Sequence, residues 1–182
     1  MADLTALRRE PLAAAHGGSG SVRLTAAKPA SRISLRAKAD AVGALSSAFG
    51  LDLPVRPSTS TIRDGRMALW LGPDEWLVID ENGADLMAAA ASAGVMHSAA
   101  DVSHRNTAVI VSGPGAEAAI NSGCPQDLSL AACPVGKCSR TIFGKAEIVL
   151  LRMAEDTFRV ECWRSFAPFV FGLLSEGAND AY

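Results

Sequence analysis

Gly113-Pro114-Gly115-Ala116-Glu117-Ala118 follows an apolar strand pattern and opens a helical one. In that context a G-x-G-x-x-A run can cradle a pyrophosphate on backbone amides. Three features of the run oppose this chemistry. Pro114 removes one N–H that would face a phosphate. Glu117 puts a negative charge in the first helical turn, favourable for the helix dipole and unfavourable for a second anion. No acidic residue ends a second parallel strand about 20 residues further on. A tight turn at a helix N-terminus is the better account.

Asp101, Ser103 and His104 are the types of a hydrolase triad. In an extended segment, however, adjacent side chains point to opposite faces, so Ser103 and His104 would not share a proton. The G-x-S-x-G elbow is also missing. Asp101 and His104 would need two further ligands to hold a metal, and His16 lies in the flexible arm while His97 reads as a loop residue. A polar structural role for His104, at a junction between lobes or at a partner contact, fits better.

The four cysteines are Cys124, Cys133, Cys138 and Cys162. Their spacings contain no Cys-x-x-Cys pair, and Cys133 and Cys138, flanking Pro-Val-Gly-Lys, are spaced poorly for zinc. Lys137 is placed to lower a neighbouring thiol pKa. Inert, reduced thiols remain the simpler reading. Asp74-Glu75-Trp76 and Cys162-Trp163-Arg164 are two polar-aromatic groups. Trp and Arg dominate interface hot spots, but Trp76 and Trp163 fit a lobe core equally well.

The elements that must position these residues can be read from hydrophobic period. Residues 1–21 form an arm whose AAAHGGSGS stretch is flexible by composition. Ile33 and Leu35 alternate as a strand, and Ala39 to Phe49 reads as a helix stopped by Gly50. Met67 to Leu71 and Glu75 to Ile79 form a hairpin about Gly72-Pro73-Asp74. Asn82 is placed to cap a helix ending at Gly94.

The second half repeats this order. A strand spans Asn106 to Val111 and a helix runs from Pro114 to Gly123. After a long loop, Glu147 to Leu151 reads as a doubly buried strand. Phe158, Val160 and Cys162 share one face of the next strand. A last helix carries Phe166, Phe169, Val170, Leu173 and Leu174 as its apolar stripe. The expected fold is therefore α+β: two similar small lobes, 22–96 and 97–182, of mainly antiparallel strands with packed helices. The hairpins exclude a doubly wound parallel sheet, whose strands need long crossovers.

With 182 residues, 49% hydrophobic and 20% charged, the chain can bury a substantial core. A net charge of −2 offers no basic footprint for nucleic acid. Arg8, Arg9 and Glu10 break any signal-peptide core, and no apolar run reaches the ~20 residues of a membrane helix. A cytoplasmic location with no membrane contact is expected.

Leu71-Gly72-Pro73-Asp74-Glu75-Trp76-Leu77, Asp101-Val102-Ser103-His104-Arg105, Asn121-Ser122-Gly123-Cys124-Pro125, Gly144-Lys145-Ala146-Glu147 and Trp163-Arg164-Ser165-Phe166 together resemble the gamma subunit of heterotetrameric sarcosine oxidase. The likeness runs over roughly residues 30–176. It implies a fold similar to folate-dependent aminomethyltransferases. It also implies a place in an assembly that demethylates sarcosine to glycine, hydrogen peroxide and formaldehyde or methylenetetrahydrofolate. In that family the alpha, beta and delta subunits are the partners. FAD, FMN, NAD, zinc and tetrahydrofolate belong to those other subunits, and this chain holds no cofactor, metal or catalytic residue. Trp76, His104, Arg105, Trp163 and Arg164 are the candidate subunit contacts. The alternative is a stand-alone folate-binding module of aminomethyltransferase type.

Overall fold

A computed structural model describes residues 10–13 and 15–181. Eleven strands and four helices alternate along them. The first half runs β3 (Ser31–Ala37), α1 (Val42–Phe49), β4 (Ser60–Arg63), β5 (Arg66–Gly72), β6 (Glu75–Asp80), α2 (Leu86–Ser92). The second runs β8 (Asn106–Ser112), α3 (Ala116–Asn121), β9 (Cys138–Phe143), β10 (Ala146–Ala154), β11 (Thr157–Trp163), α4 (Ala167–Asp180). Three short strands flank them: β1 (Gly17–Gly18), β2 (Arg23–Ala26) and β7 (His97–Asp101).

Every strand pairing is antiparallel. One sheet is ordered β4-β5-β6-β3-β7, the other β9-β10-β11-β8-β2-β1. Written this way, the two orders correspond position by position over five strands, with β1 left over at the edge of the larger sheet, so the weak sequence repeat is a real duplication of topology. The repeat also explains the flanking strands. β3 and β8 open their halves and would each leave a bare sheet edge. β7 covers β3 and β2 covers β8. Sheet membership therefore cuts the chain differently from the expected 22–96 and 97–182 lobes, because each half lends its neighbour an edge strand.

Of the expected arm, residues 1–9 and 14 lie outside the described residues. The remainder is anchored at two points and otherwise largely exposed. Leu12 is buried, and β1 pairs with β2. A Cβ on Gly17 would sit 2.5 Å from Ser175 Oγ, so the glycine that reads as flexible serves a close approach to α4 instead.

The halves stack face to face, giving four layers: helices, sheet, sheet, helices. α1 and α2 cover one outer face through Leu45, Phe49, Leu86 and Ala90. α3 and α4 cover the other through Ile120, Val170, Phe171 and Leu174. A third core lies between the sheets, where Met67, Leu69, Leu77 and Ile79 meet Val149 and Leu151. β10 is buried on both faces for this reason.

Local signals hold where their geometry is short-range. Gly50 adopts φ 62° and ends α1 as its left-handed cap. Two expectations shift. Asp85, not Asn82, caps α2, accepting from the Ala88 amide at 2.9 Å. On α4 the buried stripe is Val170, Phe171, Leu174, Gly177 and Ala178, whereas Phe166 and Phe169 are exposed. The stripe rotates because α4 packs on α3 through Gly177, where a Cβ would lie 2.5 Å from the Ala119 carbonyl oxygen.

Asp80 ends β6 nearly fully buried. It accepts from Arg66 Nε at 2.7 Å and from the Asn82 and Ala84 amides at 2.9 and 3.1 Å. Burial opposes its charge, but these donors outweigh it and hold the carboxyl below the ordinary aspartate pKa. A depressed folded pKa adds stability above the unfolded value of about 3.9, lost as pH falls through the folded one. Asp80→Asn is expected to cost about 1.5–3 kcal/mol at pH 7 and to weaken the loss of stability below about pH 4. Urea unfolding at the two pH values checks it; equal curves for both proteins would contradict it.

Candidate functional site

The residues singled out by sequence fall into three places. The glycine run is a turn whose amides are already used. Gly113 N donates to Asp156 O at 3.0 Å, Gly115 N to Ser21 O at 3.0 Å and Ala116 N to Gly113 O at 2.9 Å. Little is left to meet a phosphate, and α3 has only six residues.

The cysteines are all buried and unpaired. Burial pushes the Cys138 and Cys162 thiols up to about 12. It also raises Cys133, against the opposing pull of Arg152 and Lys137. Lys137 Nζ is occupied instead with the Ala132 carbonyl at 2.5 Å. A thiolate nucleophile is therefore absent at Cys138 and Cys162 near neutral pH. A thiol-reactive dye at pH 8 should leave both untouched in the folded chain and label both on unfolding; rapid labelling of either in the native state would refute this.

The third place is the corner where the chain crosses from one sheet to the other. Residues 102–105 form a turn between β7 and β8, not the extended segment assumed above. Ser103 stitches this turn to β3: its Oγ accepts from Arg32 N at 2.8 Å and donates to Arg32 O at 3.3 Å. Asp101 accepts from the Ser103 amide at 2.8 Å. Bonds from the Ser103 hydroxyl and amide, helped by the charge of nearby His104, hold the Asp101 carboxyl below its ordinary pKa. Serine and aspartate are thus spent on the turn, and no described hydrogen bond joins a serine or cysteine side chain to a histidine. His104 itself is exposed at this junction. His97 bonds the Val95 carbonyl at 2.8 Å, and His16 is exposed elsewhere.

Four of the five candidate contact residues gather here. Arg105 lies over the Trp163 ring at 5.2 Å, and its carbonyl accepts from Arg164 N at 2.6 Å. Trp163 also meets Phe166 at a ring separation of 6.2 Å. Trp163, Phe166 and Phe169 are 40–43% exposed, a large fraction for residues of this size, and the first two are in ring contact. Trp76 does not belong with them. It is 1% exposed and its Nε1 donates to Pro54 O at 2.8 Å, holding the long loop before β4. As a buried core residue it is corrected from contact to scaffold.

Beside the corner is a cavity of about 300 Å³. Lys28, Arg32, Ser103, His104, Asn106 and Thr107 line it, with Glu10 and Arg164, 3.7 Å apart, also on its wall. Behind Arg32 is a buried ionic cluster that sequence reading missed. Glu161 of β11 accepts from Arg32 at 2.8 and 3.2 Å and from Arg159 Nε at 2.8 Å. Arg159 Nη1 reaches Glu81 at 2.5 Å. The cluster thus ties the two sheets twice, as Arg32–Glu161 and as Arg159–Glu81. Burial acts against the Arg159 charge; its carboxylate partners override this and raise its pKa. A further bridge joins Glu75 of β6 to Arg140 of β9, while Arg36 donates to the same carboxylate at 2.8 Å. The overlooked signal was the doubly buried β10. A strand covered on both faces requires its neighbour's polar face, Arg159 and Glu161, to be covered too.

The site is thus rich in donors and has no assembled nucleophile and base. Among the described residues no three His, Cys, Asp or Glu side chains come together as metal ligands. No described helix is long and apolar enough to cross a membrane.

The sarcosine oxidase, gamma subunit family matches residues 35–180. This chain belongs to that family. A sarcosine oxidase subunit gamma from Arthrobacter sp is 32% identical over 167 residues, 86% of this chain and 82% of that one. Another, from Corynebacterium sp. (strain P-1), is 30% identical over 97% of this chain and 92% of its own. A chain of the heterotetrameric sarcosine oxidase from Corynebacterium sp. U-96, solved in complex with pyrrole 2-carboxylate, superposes with a TM-score of 0.88 at 26% identity, covering 96% of both chains. The glycine cleavage system aminomethyltransferase T from Bartonella henselae shares the fold, with a TM-score of 0.64 at 16% identity. It is matched over 88% of this chain and only 49% of its own. The aminomethyltransferase-like α+β fold expected from sequence is therefore the fold of this family member.

Proposed function

We propose that this chain is a non-catalytic structural subunit of a sarcosine-demethylating oxidase, and that its Trp163–Phe166–Phe169 face seats it on the larger subunits. The observation that carries this reading is a complete, well-packed fold whose chemical residues are spent on structure, in a chain similar over nearly its whole length to one from a heterotetramer. In the assembly we propose for this chain, alpha, beta and delta subunits are the partners. FAD, FMN, NAD and zinc reside on them, as does the tetrahydrofolate that takes up the one-carbon unit; formaldehyde is the product when it is absent. The gamma chain stabilises the large subunits and closes the route by which the reactive imine reaches the folate site.

The aminomethyltransferase likeness favours a second reading, folate binding by this chain itself. The match to only half of that enzyme speaks against it. Co-expression with the large subunits separates the two. Co-elution with flavin absorbance, and a loss of holoenzyme stability without this chain, are expected. A stable, colourless monomer that ignores the large subunits and binds tetrahydrofolate would overturn the subunit reading.

A further inference from the structure

We infer that Met96 is the site at which this chain is oxidised by a peroxide, to methionine sulfoxide. The four described methionines sit in unlike places. Met67 is 1% exposed and belongs to the core between the sheets, and Met153 packs partly buried against the same core. Met87 of α2 is 39% exposed. Met96 is 86% exposed, more than any other large hydrophobic side chain among the described residues. An exposed aliphatic side chain is inert, but a thioether sulfur is soft and nucleophilic, and its oxidation follows its exposure.

The place of Met96 keeps the sulfur open. It stands in the connection between α2 and β7, just after Gly94 adopts φ 64°. The next residue, His97, bonds the Val95 carbonyl at 2.8 Å, so the backbone on either side of Met96 is held. A cavity of about 380 Å³ beside it is lined by Lys38, Asp40, Ala41, Val95 and Met96 itself. Lys38 and Asp40 are exposed and hydrophilic, so the cavity is wet and a small polar oxidant reaches the sulfur through water. In the step a sulfur lone pair attacks one oxygen of hydrogen peroxide. The O–O bond breaks as the S–O bond forms, and the other oxygen leaves with the electron pair. It takes the proton of the transferred oxygen and departs as water. Sulfur is oxidised and the peroxide is reduced, with no further reactant. The polar product is tolerated at Met96 because it meets water. On Met67 it would be buried among Leu69, Leu77 and Ile79, at the cost of an unpaired polar group.

The site does not rest on the subunit reading; only an oxidase as the source of the peroxide does. The test is treatment of the full chain, and of its co-purified complex, with hydrogen peroxide. Tandem mass spectrometry then locates the added oxygen on each methionine; Met1, outside the described residues, is followed separately. Met96 should oxidise at least about tenfold faster than Met67 and ahead of Met87, while the circular dichroism spectrum stays that of the folded chain. In urea the rates should converge, since the difference belongs to the fold. Met96 oxidising no faster than Met67 or Met87, a difference that persists in urea, or protection of Met96 in the complex would overturn the site. Sarcosine turnover in place of added peroxide separates the two readings. Oxidation of Met96 by added peroxide but not during turnover would support the site and count against the oxidase reading alone.

Discussion

Glu161→Gln is expected to destabilise the chain by about 3–5 kcal/mol, because it leaves two buried guanidinium groups short of their shared carboxylate. Arg32, Arg159 and Glu161 are each at most 2% exposed, so water cannot replace the lost charge. Arg159 is already the more vulnerable: its Nη2 is buried without a hydrogen-bond partner, and after the change only Glu81 would balance it. Against a total stability of about 5–15 kcal/mol this is a large fraction. For a chain of this length it corresponds to a fall in Tm of roughly 6–20 °C. Thermal unfolding followed by circular dichroism measures it. A triple variant with Met at Arg32, Arg159 and Glu161 should melt well above the single variant, since it leaves no buried charge unpaired and only the part-exposed Glu81 carboxylate loses a partner. A single variant melting within about 2 °C of the parent would show that the cluster does not join the sheets energetically.

Trp163→Ala combined with Phe166→Ala should leave the fold intact and abolish co-elution with the large subunits. Both side chains are about 40% exposed, so truncation removes little core. The intramolecular loss is the stacking of Arg105 on Trp163, worth about 0.5–1 kcal/mol. At an interface centre the same truncation typically costs about 2 kcal/mol or more per anchor, roughly thirtyfold in affinity each. The expected result is a folded chain that separates from the yellow complex on dilution and gel filtration. Parental co-elution at equal concentration would move the interface elsewhere on the molecule and leave the fold argument untouched.

The two variants address residues of different legibility. Trp163 and Arg164 stood out in the sequence because aromatic and cationic types cluster at a strand end. Exposure of Phe166 and Phe169 did not, because their i, i+3 spacing is also that of a core stripe. The choice between stripes is made by Gly177 and Ala178, which let α4 approach α3 and turn the other face inward. Arg159 and Glu161 were hidden for the opposite reason. Alternating with Phe158, Val160 and Cys162, they read as a solvent face, and only the second sheet makes that face an interior.

By itself the sequence determined the four helices, six of the eleven strands and their order: the hairpin about Pro73-Asp74, the Gly50 stop, the doubly apolar β10 and the repeated half, but not β1, β2, β4, β7 or β9. These follow from local backbone preferences and from hydrophobic period, which act over a few residues. Tertiary structure alone decided the stacking of the two sheets, the exchange of β2 and β7 between halves, the burial of Trp76 and of the ionic cluster, and the cavity beside Thr107. Each of these depends on which face meets which across distant segments. Period shows that a face is apolar or polar; only packing determines what covers it.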